Sequence, residues 1–300
     1  MADDRGWLHG VLTAILTPFD LEGRLTLDVM PALLDFQRAA GIDGVMVCGT
    51  NGEGTALSVE ERKRCLEAVM EHRGSLKVIA GTGATSPTDA LELTRHAADL
   101  GVDAALLLPP FFYKSPPVAG LASYFLQILD AVDIPILLYN IPQMTSLPIS
   151  NALIDLLAGH ARLAGIKDSS GDWQRTDEMI RQYPQLQIFA GSDYLAAQCF
   201  REGGAGVISG GANPFPEALV AVRDAFNSGD VAKLGEAQNR LNGMLDILVR
   251  YPLIAASKTV LAHRGLPRMG VRPSLVNLTA DEEAAMLAEF QTAGFPISRD

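Results

Sequence analysis

Eight short apolar runs punctuate the chain, at residues 11–16, 44–48, 76–80, 104–108, 135–139, 163–167, 186–190 and 206–209. Each is rich in Val, Ile, Leu or Ala without clear polar alternation, the pattern of parallel strands buried on both faces. Helix-like stretches with start signals lie between them. Ser58-Val59-Glu60-Glu61 is a capping box, and Ser86-Pro87 sets an N-cap before a proline at the first helical position. Strand starts fall 20 to 33 residues apart, the scale of a repeated strand–loop–helix–loop unit. Eight such units predict a closed (β/α)8 TIM barrel. An open doubly wound sheet is the alternative, because a periodic pattern does not by itself establish closure.

The strand signal stops after residue 212, and residues 216–228, 230–250, 252–264 and 280–292 read as helices. The first completes the eighth unit. The expectation is a barrel over residues 1–228 and an appended C-terminal helical region over residues 229–300. No low-complexity linker separates the two, so the helical region is expected to pack on the barrel.

Three hundred residues, 48% of them hydrophobic, suffice for a sizeable core. The net charge of −11 and the lack of any basic run argue against nucleic-acid or membrane-surface partners. Cys48, Cys65 and Cys199 are odd in number and lack CxxC spacing, which points to a reducing compartment. No histidines stand in metal-binding spacing, so no metal site is expected. Residues 1–5 are acidic without an apolar core, and no apolar stretch reaches the ~18 residues of a membrane span. A soluble, cytoplasmic protein is the expectation.

In such a barrel, chemistry sits at the C-terminal ends of the strands and in the following loops. That placement sorts the six lysines. Lys77 opens a strand, Lys63, Lys233 and Lys258 fall in helices, and Lys114 falls in the loop after the fourth strand. Lys167 closes the sixth apolar run, just before Asp168-Ser169-Ser170-Gly171. Burial disfavours the charged form of a lysine and makes its amine a candidate Schiff-base nucleophile. The alternative is a strand-end lysine paired with an acid. Tyr139 ends the fifth run, on the neighbouring strand at the same level, where a phenol can exchange protons with an imine intermediate. A locally satisfied barrel aromatic is the other reading.

Gly49-Thr50-Asn51-Gly52-Glu53-Gly54 follows the second run. Its hydroxyl, amide and backbone N–H groups suit a carboxylate or phosphate, and without GK[ST] it is no Walker loop. Gly81-Thr82-Gly83-Ala84-Thr85-Ser86 reads as a tight strand-to-helix turn. The aromatic loop Pro109-Pro110-Phe111-Phe112-Tyr113 falls at the same end of the barrel, either covering the site, meeting a partner subunit or packing beneath the loop.

Together, Leu16-Thr17-Pro18-Phe19, Gly49-Thr50-Asn51-Gly52-Glu53, Tyr139-Asn140-Ile141-Pro142 and Gly165-Ile166-Lys167-Asp168 resemble the dihydrodipicolinate synthase / N-acetylneuraminate lyase family, the class I pyruvate-dependent aldolases. Gly191-Ser192-Asp193 and Gly206-Val207-Ile208-Ser209 support the resemblance, which spans nearly the whole chain. It implies a (β/α)8 barrel with C-terminal helices, assembled as a homotetramer (a dimer of dimers). It implies that Lys167 forms an imine with pyruvate or another 2-oxo acid and that no other cofactor is needed. Tyr139 then corresponds to the proton-shuttling tyrosine, Thr50 to the relay hydroxyl, and Asn51 with nearby backbone amides to the carboxylate cradle. Gly191 and Ile208 match positions lining the pyruvate pocket.

Two positions depart from the synthase pattern. Met144 stands where those enzymes resemble Tyr-Asn-x-Pro-x-Arg, and a thioether cannot replace a bidentate guanidinium. Phe112 stands where they have a tyrosine that reaches across the dimer, so that relay is broken or rebuilt through Tyr113. Both departures resemble the sugar-acid members. The leading expectation is reversible cleavage of a 2-keto-3-deoxy sugar acid to pyruvate and an aldehyde. The alternatives are 4-hydroxy-tetrahydrodipicolinate synthase, a deoxy-keto acid dehydratase and a non-catalytic 2-oxo acid binder, against which the presence of both Lys167 and Tyr139 speaks.

Overall fold

Every apolar run forms a strand in the computed structural model, which describes residues 7–295 and 297. The strands are β1 (Gly10–Ala14), β2 (Gly44–Val47), β3 (Lys77–Gly81), β4 (Ala104–Leu107), β5 (Ile136–Asn140), β6 (Leu163–Asp168), β7 (Gln187–Ala190) and β8 (Gly206–Ser209). They pair in sequence order, and β8 closes on β1 in parallel register through Val11↔Val207 and Leu12↔Ile208. The sheet is therefore a closed (β/α)8 barrel, and the open alternative falls. The acidic residues 1–5 and the end of the C-terminal region, residues 298–300, lie outside the described residues.

The runs lack polar alternation because neither face meets water. Leu12, Met46, Ile79, Leu106 and Leu137 pack together in one cluster, while Val11, Val45, Val78, Leu107 and Leu138 join the larger cluster that includes the helices. Strand periodicity sends alternate residues to opposite sides, so the first set fills the barrel and the second packs outward. Each fully buried Leu or Ile contributes on the order of 1.5–3 kcal/mol.

The strand limits differ from the apolar runs where polar groups intervene. Hydrophobicity carries the first run through Leu16, yet β1 ends at Ala14 and the Leu16 N–H donates to Asn213 Oδ1 at 3.0 Å. Conversely, β5 and β6 each continue one residue past their apolar runs, through Asn140 and Asp168. Those two side chains satisfy each other and so can be buried.

The start signals hold. Ser58 caps the helix Val59–His72 in a full capping box with Glu61, and Ser86 accepts from Asp89 N at the head of Pro87–Asp99. Helix Pro216–Ser228 ends at Gly229, whose φ of +74° is the left-handed cap that glycine adopts without strain. The expected helices over 230–250 and 252–264 run Val231–Leu248 and Leu253–His263, with Asp230 and Pro252 as their N-caps. With Ala280–Thr292 they enclose an apolar cluster of Phe215, Leu248, Val260, Met286 and Phe290. Among the described residues, no helix is long and apolar enough to cross a membrane.

Candidate active site

Tyr139 and Lys167 are register partners across β5 and β6. Both side chains turn into the barrel: Tyr139 belongs to the interior cluster, and Lys167 is only 3% exposed. Lys167 Nζ stands 4.4 Å from the centroid of the Tyr139 ring. Among the described residues Lys167 joins no ion pair, so the reading of a lysine tied to an acid falls. Thr50 Oγ1 reaches across to Tyr139 Oη at 3.3 Å. Burial pushes the Tyr139 phenol up, but the nearby Lys167 charge and hydrogen bonds from Thr50, Ser169 and Lys167 outweigh it. The net pKa lies below the ordinary value.

One residue further on, Asn140 and Asp168 face the other way, as strand alternation demands. Asn140 Nδ2 donates to Asp168 Oδ1 at 2.7 Å, and Asn140 Oδ1 accepts from Ile149 N at 2.9 Å. Asp168 Oδ2 accepts from Thr176 Oγ1 at 2.7 Å and from Ser170 Oγ at 2.9 Å. Buried polar groups satisfied in this way hold one geometry. This network locks the backbone carrying Tyr139 and Lys167 from behind.

Thr50 and Asn51 ride on the turn after β2. Cys48 and Glu53 flank it with positive φ values of 57° and 51°. Gly54 is required there, because a Cβ would run into the Cys48 carbonyl. Thr17 Oγ1 donates to Gly52 O at 2.6 Å. The Glu53 carboxylate points away from the cavity and receives Lys258 Nζ at 2.6 Å and Arg272 N at 2.8 Å. Lys258 was sorted above as a helix lysine, without regard to its burial. It is fully buried. Every residue from Ala255 to Leu261 of its helix is buried, so the charge there has to be paired.

Asn51 packs its amide against the bare Cα of Gly210, where a Cβ would come within 2.5 Å of Nδ2. Ile208 lies on β8 in the interior cluster with Tyr139 and Phe189. Gly191 donates its N–H to Asp168 O at 2.7 Å, and a Cβ there would collide with the Ser169 hydroxyl. Ser169 and Asp193 are polar groups near the lysine that the lysine-centred reading passed over. Asp193 Oδ2 accepts from Gly211 N at 2.8 Å, while its buried Oδ1 has no protein partner. Burial raises the Asp193 pKa, against hydrogen bonds from Ser209 and Gly211 and the charge of Lys167.

A cavity of about 240 Å3 opens beside this group, lined by Thr50, Arg62, Leu108, Phe111, Tyr139 and Met144 among others. Lys167 is not on its wall, but Tyr139, whose ring Lys167 Nζ approaches, is. Met144 sits on the short helix Pro142–Thr145. Phe112 and Tyr113, read as substrate-binding candidates, do not line this cavity; Phe111 does. They are 72% and 76% exposed and contact each other edge to face, with ring centroids 5.4 Å apart. The loop leaves β4 pointing outward, so a single chain does not bring them to Lys167. Among the described residues no three His, Cys, Asp or Glu side chains gather as a metal-binding group.

Residues 7–293 match the model of the dihydrodipicolinate synthetase family. The chain belongs to this family. Among relatives within it, an uncharacterized DapA-like lyase of Chloroflexus aurantiacus is 43% identical over 290 residues, covering 94% of this chain and 96% of that protein. A 4-hydroxy-tetrahydrodipicolinate synthase of Phenylobacterium zucineum is 36% identical, covering 95% and 97%. The crystal structure of YagE, a prophage protein of the dihydrodipicolinic acid synthase family from E. coli K12, in complex with pyruvate, superposes with a TM-score of 0.92. It is 28% identical, covering 97% of this chain and all of that one. The (β/α)8 barrel with C-terminal helices is thus the family's architecture as well as this chain's.

Proposed function

We propose that this protein is a class I lyase that cleaves a 2-keto-3-deoxy sugar acid reversibly to pyruvate and an aldehyde. The observation that carries the reading is the buried Lys167 amine, 4.4 Å from the Tyr139 ring at the C-terminal mouth of a parallel barrel. The neutral amine adds to the C2 carbonyl of a 2-oxo acid, and the carbinolamine loses water to give an iminium. The iminium draws in the electron pair of the C3–C4 bond as that bond breaks. Tyr139 takes the proton of the C4 hydroxyl, so C4 leaves as an aldehyde and an enamine remains. Protonation at C3 and hydrolysis release pyruvate and restore the amine. Thr50, hydrogen-bonded to the phenol, relays the proton, and Asn51 with the adjoining amides holds the substrate carboxylate. Gly191 and Ile208 border the pyruvate end of the site.

One observation favours a polyhydroxylated substrate: Met144, on the cavity wall, supplies no cation for a second carboxylate. The synthase reading draws on the Phenylobacterium relative, and Met144 weighs against it. Exposed Phe112 and Tyr113 support assembly as a homotetramer in which a partner covers them. Borohydride with pyruvate is expected to add a reduced pyruvyl group to the peptide containing Lys167, and Lys167→Ala to abolish it. Retained labelling in that variant would reject the assignment. Pyruvate release from a panel of keto-deoxy acids, beside condensation of pyruvate with aspartate semialdehyde, separates the two substrate readings.

A further inference from the structure

The turn that presents Thr50 is anchored by residues more than two hundred positions away. Glu53 ends that turn in a left-handed conformation, at φ 51°. A non-glycine residue there costs on the order of 1–3 kcal/mol and persists only where its surroundings over-determine it. The determinants come from the C-terminal helical region. Lys258 Nζ bonds Glu53 Oε1 at 2.6 Å, with side chains 0% and 1% exposed. The same ammonium donates to Gly270 O at 2.7 Å, and Arg272 N donates to Glu53 Oε2 at 2.8 Å. Both carboxylate oxygens are thus held from outside the barrel. Arg272 adds a second latch, pairing through its guanidinium with Glu61 at 2.6 Å and donating to Ala56 O at 2.9 Å. Phe19 places its ring 4.7 Å from Lys258 Nζ and 4.6 Å from the Arg272 guanidinium carbon.

A fully buried ion pair is a poor device for stability, because desolvation offsets the attraction and apolar replacements of similar volume are often neutral or better. What it does confer is one fixed geometry. Here that geometry is the position of Gly49–Gly54, hence of the Thr50 hydroxyl 3.3 Å from the phenol of Tyr139.

We propose that Glu53 and Lys258 are positioning residues for proton transfer: the C-terminal region sets the Thr50–Tyr139 contact through their ion pair. This rests on the imine reading above, and the test keeps the two apart. The readout is exchange of the pyruvate methyl protons in D2O, followed by proton NMR, which needs no aldehyde. It is paired with borohydride trapping at Lys167. The full-length variant Glu53→Gln/Lys258→Met removes both charges together. It is expected to keep its circular dichroism and still trap pyruvate, with exchange slowed at least about tenfold. In a Thr50→Val background the same double replacement is expected to slow exchange no further, because the contact it positions is already gone. Wild-type exchange in the folded variant would overturn the proposal. So would an equal slowing with or without Thr50, which marks a general structural role. If the double variant does not fold, Glu53→Asp decides by the same two readouts: it keeps the charge but draws the turn one methylene toward Lys258. Failure of the wild-type protein to trap pyruvate at all would instead sink the imine reading.

Discussion

Replacing Tyr139 by phenylalanine removes one oxygen and leaves the ring. The ring's contact with Lys167, at 4.4 Å from its centroid, survives, so imine formation is expected to survive as well. The structural cost is small. The hydroxyl's contact with Thr50 is long, at 3.3 Å, and a typical hydrogen bond contributes only about 0.5–1.5 kcal/mol net. A chain of this size then melts only a few degrees lower, at about 2–4 °C per kcal/mol. The chemical cost is larger. Losing a positioned general acid–base lowers the rate by about 10²–10⁴-fold, or about 3–5 kcal/mol at 1.36 kcal/mol per decade. The gap between these magnitudes makes the experiment decisive, because partial unfolding cannot account for the expected loss. Tyr139→Phe should therefore trap pyruvate at Lys167 under borohydride while methyl-proton exchange falls by at least a hundredfold. Thr50→Val, which touches the phenol rather than the substrate, should lose less. Exchange at the wild-type rate in a folded Tyr139→Phe protein would refute the assignment of the phenol as proton carrier.

Three further outcomes are expected. In Gly191→Ala, the new methyl meets Ser169 Cβ at 2.9 Å and Asp168 O at 3.1 Å; Ser169 must turn away and release the phenol. Exchange should fall about as far as in Ser169→Ala, and a Gly191→Ala protein at full rate would show that Ser169 is not needed. Asp168→Ala leaves the buried Asn140 amide without its acceptor, at roughly 1–3 kcal/mol, while the Thr176 hydroxyl keeps its bond to Asp172 O. Urea unfolding should report a loss of about 1–3 kcal/mol, and less for Asp168→Asn, which keeps an acceptor. The Tyr139 phenol lies below its ordinary value of 10.0 and accepts protons in its ionised form, so the exchange rate should rise with pH before an unperturbed tyrosine would titrate, and Tyr139→Phe should lack that limb. A folded-state pKa depressed in this way adds stability only above the unfolded pKa and loses it as pH falls through the folded one.

Much of the site was legible along the chain because its chemistry coincides with strand ends. Lys167 and Tyr139 close apolar runs, and neighbouring parallel strands that end together bring such residues onto one rung. Thr50 follows the same logic from the turn after β2. Ser169 and Asp193 were harder to see, since a serine or aspartate in a loop is ordinary until its burial and neighbours are known. Phe112 and Tyr113 are exposed in the single chain, because the loop after β4 carries them away from the barrel mouth toward where a partner subunit would meet them.

The order and spacing of apolar segments were enough to specify eight parallel strands, the helices between them and the mouth where Lys167 stands, because those follow from period and burial acting locally. Only the folded chain decided that Glu53 is clasped by Lys258, 205 residues away, and that Asn140 and Asp168 shield each other behind the site. Those pairings depend on which surfaces closure of the barrel and docking of the last helices press together. No local pattern encodes that, since a charged side chain looks the same in sequence whether water or another charge awaits it.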